Sequence, residues 1–315
     1  MNKRVYGVLG ISSVMANWNA DFSGYPKTTS EGQIFGSDKA LKYPMKKMWE
    51  NQGEKVLYIK SMKFYDGKKG EVTLIPKSLK ERYEQIFQVE DLDKTVDGKE
   101  VITNLFKAID VKNFGATFAE TGKNISITGA VQFGQGFNKY EDSQAVEQPI
   151  LSPFRDPSAK EKNEGVEAKN ATIGTKITSD EAHYFYSFNV NALAYKEFEE
   201  LGVTEGYTEE DYEKFKAVAL TSATSFATNA KIGCENEFAL FVETEENLYL
   251  PNLAEYISFE KGTEKNIIRV ECDLLLNEVK DRIKSIELYY NPYTTEIVQN
   301  IEKLKLLNIF TQEEA

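Results

Sequence analysis

Three groups of residues in this chain could do chemistry on a nucleic acid. Asn17, Trp18, Asn19, Asp21, Tyr25 and Lys27 fall close together in one polar stretch. Short amides hydrogen-bond phosphate, sugar or base edges, aromatic rings stack on bases, and lysine neutralises phosphate. Asn and Asp are equally at home as turn formers. A second group, Lys39, Lys42 and Lys46, recurs at i, i+3 and i+7. On a helix that spacing keeps the three within about 60° of one another, with Leu41, Met45, Met48 and Trp49 on the opposite face. The third is the segment 114–139, whose Gly115, Gly122, Gly129, Gly134 and Gly136 would let a ligand approach the backbone closely. It lacks both the Gly-Lys-Ser/Thr ending of a phosphate loop and a strand-linked GxGxxG, so a nucleotide-binding reading lacks its mechanical parts.

Catalysis has little to build on. His183 is the only histidine and sits in an aromatic strand pattern, where a packed side chain is the ordinary outcome. Neither a nucleophile elbow nor an HExxH motif occurs, and the only two cysteines, Cys234 and Cys272, make no metal-ligand spacing and imply no disulfide framework. Asp21 is the one carboxylate in a suggestive loop, and it reads first as a turn residue. The chain is therefore read as non-enzymatic, with no cofactor and no metal site.

Positioning these groups falls to a mixed set of elements. A compact apolar run, Arg4–Ile11, predicts a buried strand, and Ser37–Gln52 a helix closed by Gly53. Strands are expected at Lys55–Tyr65, Ile125–Phe133, His183–Val190 and Glu237–Glu243, and helices at Ser78–Val89, Asp97–Ile109 and Thr208–Asn229. Towards the end follow a strand at Ile267–Asp273, a helix at Leu274–Ile283 and a strand at Ser285–Asn291. Residues 139–180 show no clean period and are punctuated by Pro149, Pro153, Pro157, Gly165 and Gly174. Stripped of insertions the order is strand, helix, strand, strand, helix, strand. This predicts an α+β fold of the ferredoxin-like, RNA-recognition-motif type. What stands out is the excursion from Val14 to Gly36, since connections in compact domains usually run to about four to six residues.

Charge is unevenly spread. The 315 residues carry a formal net charge of −12, yet residues 1–80 hold 14 Lys/Arg against 7 Asp/Glu and the remainder 24 against 43. An acidic total opposes nucleic-acid binding at long range, but screening over about 8 Å lets local fields decide. No window is long and apolar enough for a membrane helix, which needs roughly 18 apolar residues or more. The N-terminus reads as a strand and not as a signal peptide, and the two cysteines as buried free thiols in a reducing cytoplasm.

The segments "RVYGVLGI", "MANWNADF", "IFGSDKALKYPMKKMW", "GEKVLYIKS", "FGATFA", "SITGAVQFGQG" and "IGTKITSDEAHYFYSFNVNA", in that order, resemble the backbone subunit of type I-B CRISPR Cascade complexes. This Csh-type member of the RAMP superfamily is related to the Csd-type subunit of type I-C, and the resemblance runs over approximately residues 3–295. Ala130 departs from the proline that many relatives carry at that place. The resemblance implies a single elaborated domain over 1–315: a palm, a finger insertion at about 66–112, and a thumb hairpin at about 139–181. It implies that several copies stack along a CRISPR RNA guide, joined by other Cascade subunits, and present the guide for pairing with target DNA. The RNA contacts it suggests are Asn17, Trp18, Asn19 and Lys27 in the excursion and Ser37, Lys39, Lys42 and Lys46 at the first helix. Gln132, Phe133, Gly134 and Gly136 follow in the glycine-rich segment, and Arg155 in the thumb. The alternative is an RNA-cleaving subunit of the type III kind that uses Asp21.

Overall fold

In the computed structural model, which describes residues 1–67, 70–94, 97–120, 122–155 and 170–315, the N-terminal apolar run forms β1 (Arg4–Ala16). Val5, Leu9 and Ile11 enter one core while Tyr6 and Val8 enter another, so the strand is apolar on both faces. The excursion ends in β2 (Phe35–Gly36), and α1 (Asp38–Asn51) starts from Ser37, whose Oγ accepts the Ala40 N–H at 3.3 Å. Pro44 lies inside α1 without ending it.

Next come the hairpin of β3 (Met62–Asp66) and β4 (Val72–Pro76), then α2 (Leu79–Phe87), α3 (Gly98–Phe106) and α4 (Ile109–Phe114). β5 (Gly115–Glu120) and β6 (Lys123–Thr128) form a second hairpin before β7 (Val131–Asn138). β8 (Ala145–Arg155) pairs antiparallel with β9 (Asn170–Asn191), and α5 (Lys196–Glu200) and α6 (Glu209–Ser225) lead to β10 (Cys234–Thr244). The chain closes with β11 (Ile257–Glu260), β12 (Asn266–Val270), α7 (Asp273–Glu278), β13 (Ile283–Tyr290), β14 (Thr295–Gln299) and β15 (Leu304–Asn308).

One sheet organises the molecule, in the order β15-β13-β10-β1-β9-β7-β2, with β8 paired to the outer part of β9. Its four central strands, β10-β1-β9-β7, are antiparallel neighbours throughout. Counted along the chain they stand in the order fourth, first, third, second. α1 connects the first towards the second and α6 joins the third to the fourth, and both pack on the same face around Leu41, Met45, Trp49, Phe215 and Ala219. The opposite face is covered in part by β11, β12 and β14, through Ile257, Ile268 and Val270. Cys234 and Cys272 are free and buried, as expected of packed thiols. Among the described residues, no helix is long and apolar enough to cross a membrane.

Several expected elements differ. Of Lys55–Tyr65 only the end becomes a strand. Val56 and Leu57 are buried in irregular chain, because the Asp110 carboxylate accepts the Leu57 and Tyr58 N–H groups at 2.8 Å each and replaces a ladder. Ile125–Phe133 is two strands, parted where Gly129 lies against the chain at 113–115; a Cβ there would sit 2.2 Å from the Phe114 carbonyl carbon. Asp97–Ile109 is broken after Phe106 into α3 and α4. The aperiodic stretch 139–180 contains a long hairpin, since β8 is an edge strand on which Pro149 can pair across to Thr175.

Candidate nucleic-acid interface

The 17–36 excursion is a folded structure tied to the sheet. Bridges at Ala20–Pro26 and Thr28–Ile34 double it back on itself. Trp18 is fully buried, its Nε1–H donating to the Tyr186 hydroxyl at 2.6 Å. Asn17 is buried as well and donates to the carbonyls of Gly24 (2.9 Å) and Ile177 (3.2 Å). Lys231 lies 5.0 Å over the Trp18 ring and donates to the Asn17 and Trp18 carbonyls, and burial lowers its pKa to about 8. Asn19 spends its Oδ1 on the Ser37 N–H at 2.8 Å. Of these three residues expected as RNA contacts, Asn17 and Trp18 are buried and tie the excursion to β9, while Asn19 is half-buried and ties it to the start of α1. Gly36 shows how tight the joint is, since a Cβ there would lie 1.8 Å from the Tyr186 hydroxyl.

Outward on the excursion lie Lys27, half-buried over the Phe35 ring at 5.4 Å, an exposed tip at Asp21–Ser23 and the exposed turn Ser30–Gln33. Asp21 Oδ1 accepts the N–H groups of Ser23 (2.8 Å) and Tyr25 (3.0 Å), which makes it a turn former. Tyr25 reaches the hairpin strand β8 by donating to the Glu147 carboxylate.

The three lysines of the α1 stripe differ in their surroundings. Only Lys39 is exposed and free of a partner among the described residues. Lys42 pairs with Asp38 at 2.9 Å and lies over the rings of Phe114 and Phe133. Lys46 donates to the Tyr58 carbonyl at 3.3 Å and stands 3.8 Å from the buried Asp110. Burial lowers the Lys46 pKa, with Asp110 working against that shift. Much of the N-terminal positive charge is similarly matched inside the chain, by Lys3 with Glu209 and Glu243 and by Lys80 with Asp91 and Asp93.

On β7, Gln132 is exposed and Gly134 half-buried, on the sheet face away from α1. Phe133 points the other way, into the rings of Phe114, Phe188 and Phe215. Gly136 is buried under Tyr186, whose ring a Cβ would approach to 2.3 Å. Arg155 ends β8 opposite Asn170, and its side chain lies outside the described residues.

The hairpin is rooted in the sheet by continuity: β9 is 22 residues long and pairs with β8 at one end and with β1 and β7 at the other. At its base Asp180 Oδ1 accepts the Gln144 N–H at 2.7 Å and the Asp180 N–H donates to the Gln144 carbonyl at 2.9 Å. Beside it stands a buried cluster that sequence reasoning reduced to a packed histidine. His183 lies between two glutamates, Nδ1 2.8 Å from Glu237 and Nε2 3.0 Å from Glu181, and stacks on Phe259 at 3.7 Å. Lys261 holds the same Glu181 at 2.6 Å. Burial pulls the His183 pKa down, but the two carboxylates outweigh it and raise it above 6.5. The stabilisation from protonated His183 is therefore fully present below about pH 6.5 and is lost as pH rises through the raised folded value. Melting temperature measured from pH 6 to 9 should fall over that window, and the step should vanish in His183→Gln; an identical profile in the variant would remove His183 as its source.

Among the described residues, the outward groups these elements supply include the excursion tip, Lys27, Lys39 and the root of the β8–β9 hairpin, lysines and backbone of the kind that meets phosphate. The family described as CRISPR-associated protein Cas7 matches residues 3–276. Among solved structures, the chain is similar to one described as "CRISPR RNA-guided surveillance complex, pre-nicking", with a TM-score of 0.52 and 13% identity over 95% of this chain and 96% of that one. At that identity the likeness is one of fold. Among curated proteins, no sequence matches the chain significantly. With the match running from the start of β1 into α7, the chain belongs to the Cas7 family of CRISPR-associated proteins.

Proposed function

We propose that this protein is a non-catalytic backbone subunit of a CRISPR Cascade effector complex, of the type I-B, Csh-type branch, working in the cytoplasm. It binds the CRISPR RNA guide along its sugar-phosphate backbone, several copies line the guide beside other Cascade subunits, and the guide is left open for pairing with target DNA. Membership of the Cas7 family over residues 3–276 carries this reading. The fourth-first-third-second order of the central strands, with two helices on one face, supports a ferredoxin-like palm. The hairpin of β8 and β9 suits the thumb at about 139–181, and the insertion from β3 to α4 suits the fingers at about 66–112. A guide varies in sequence, so the protein must grip phosphate and ribose and leave the reading of the target to base pairing.

Coexpression with its CRISPR array, purification and sequencing of the retained RNA tests the proposal. Guides of repeat-spacer origin are expected; bulk cellular RNA or none would reject it. Within that reading, Lys39→Ala should flatten the salt dependence of guide affinity by about 0.7 in log-log slope, one single-strand phosphate contact. Lys46→Ala should leave the slope unchanged and cost about 2 kcal/mol of stability, because Asp110 loses its cation. A slope unaltered in Lys39→Ala would take Lys39 off the contact surface. Asp21→Asn should retain guide, and neither it nor the wild type should cut complementary RNA with magnesium or manganese. Cuts from the wild type that disappear in Asp21→Asn would make Asp21 catalytic.

A further inference from the structure

The sheet face turned away from α1 and α6 is covered over only part of its area. Along β9 the residues on that face are His183, Phe185, Ser187 and Asn189. The first two are sealed, His183 under Phe259 and Phe185 against Phe238. Ser187 and Asn189 are not. They line a cavity of about 330 Å³ with Tyr6 of β1, Gln132 and Gly134 of β7, and the loop 250–253.

Among the described residues, no side chain lining this cavity carries a charge. Tyr6 gives its hydroxyl proton to the Leu248 carbonyl at 3.1 Å, and Gln132 Nε2–H donates to the Gly129 carbonyl at 2.8 Å. Among the described residues, the Ser187 hydroxyl, the Asn189 amide and the Gln132 carbonyl oxygen have no partner. A Cβ at Gly134 would stand 2.7 Å from Ser187 Oγ, so glycine keeps that wall open. An uncharged cleft has no counter-ion for phosphate. Uncharged walls on which donors and acceptors converge beside Leu250, Pro251 and Leu253 instead suit a flat, neutral, hydrogen-bonding ring.

We infer that this cavity takes one unpaired nucleobase of a bound strand. Asn189, Ser187 and the free oxygen of Gln132 meet the edge of the base, and the 250–253 loop shelters its ring. Primary amides present a donor and an acceptor side by side and can turn over, so the cavity accepts more than one base, as a strand of variable sequence requires. The guide-binding proposal enters only as the source of the strand.

Saturation-transfer NMR on the full chain tests the cavity without any guide, using cytidine and, as control, ribose 5-phosphate. Transfer is expected to the base protons of cytidine and not to the control. Asn189→Ala should weaken cytidine binding by about fivefold, the loss of one neutral hydrogen bond, and Ser187→Leu, by filling the cavity, should abolish it. Wild-type protein giving no transfer, or both variants binding as the wild type does, would overturn the inference. Asn189 is half-exposed and its replacement leaves the core intact, so a misfolded Ser187→Leu would not decide the matter. In the guide-loaded protein, ultraviolet cross-links should include peptides from 131–134 or 250–253. Cross-links confined elsewhere would overturn the cavity and leave guide binding standing. Failure to retain guide would count against the proposed function alone, with the cytidine result deciding the cavity.

Discussion

A variant in which a short Gly/Ser turn joins Ala145 to Ser179 is expected to fold, and to form no ordered multimers on the guide. Among the described residues, no side chain from 146–152 or 174–178 belongs to either apolar core. The β9 ladder from Ser179 onward, paired with β1 through to Asn191, stays intact, as does the Gln144–Asp180 closure. Among the described residues, two ties to the excursion go, the exposed one from Tyr25 to Glu147 and the part-buried one from Asn17 to Ile177, the latter for a loss of about 1 kcal/mol. Circular dichroism and thermal melting should show that modest change, while mass photometry on guide RNA should lose every species above the smallest. Full-length multimers from the trimmed variant would refute the thumb role of the hairpin.

The second large effect concerns stability. Trp18→Ala should cost about 3–5 kcal/mol and lower the melting temperature by roughly 5–8 °C. The ring is fully buried, its N–H is bonded to Tyr186, and Lys231 lies on its face. Phe22, two residues past the bonded Asn19–Ala20 bend and fully exposed, provides the contrast: Phe22→Ala should melt as the wild type does. A Trp18→Ala protein of unchanged melting temperature that lost guide binding would instead make Trp18 a stacking residue.

The contrast between Trp18 and Lys39 marks what could be read from sequence. β1, α1, α6 and the strand β9 were legible because each carries its own period or caps, such as the Thr208–Asp211 box at the start of α6. The excursion was recognisable as special by its length and composition. Its inner and outer residues were not separable, because an Asn that caps a helix and an Asn that meets phosphate look alike in a string. Tyr186, 168 residues away, is what buries Trp18. Likewise the spacing of Lys39, Lys42 and Lys46 gave their shared face, but Asp110 and Phe114, which turn two of them inward, come from α4. The cavity beside Ser187 depends on four separate segments meeting, and its one sequence signal is the pair of polar residues interrupting the aromatic alternation of β9.

The central claim is that this chain lines a guide RNA at regular intervals without reading its sequence. Hydroxyl-radical footprinting of purified complexes assembled on two guides with unrelated spacers measures this directly. The account predicts the same evenly repeating pattern of protected riboses on both guides, in register with the number of subunits bound. Protection that followed one spacer sequence, or that covered a single patch without repeat, would contradict it.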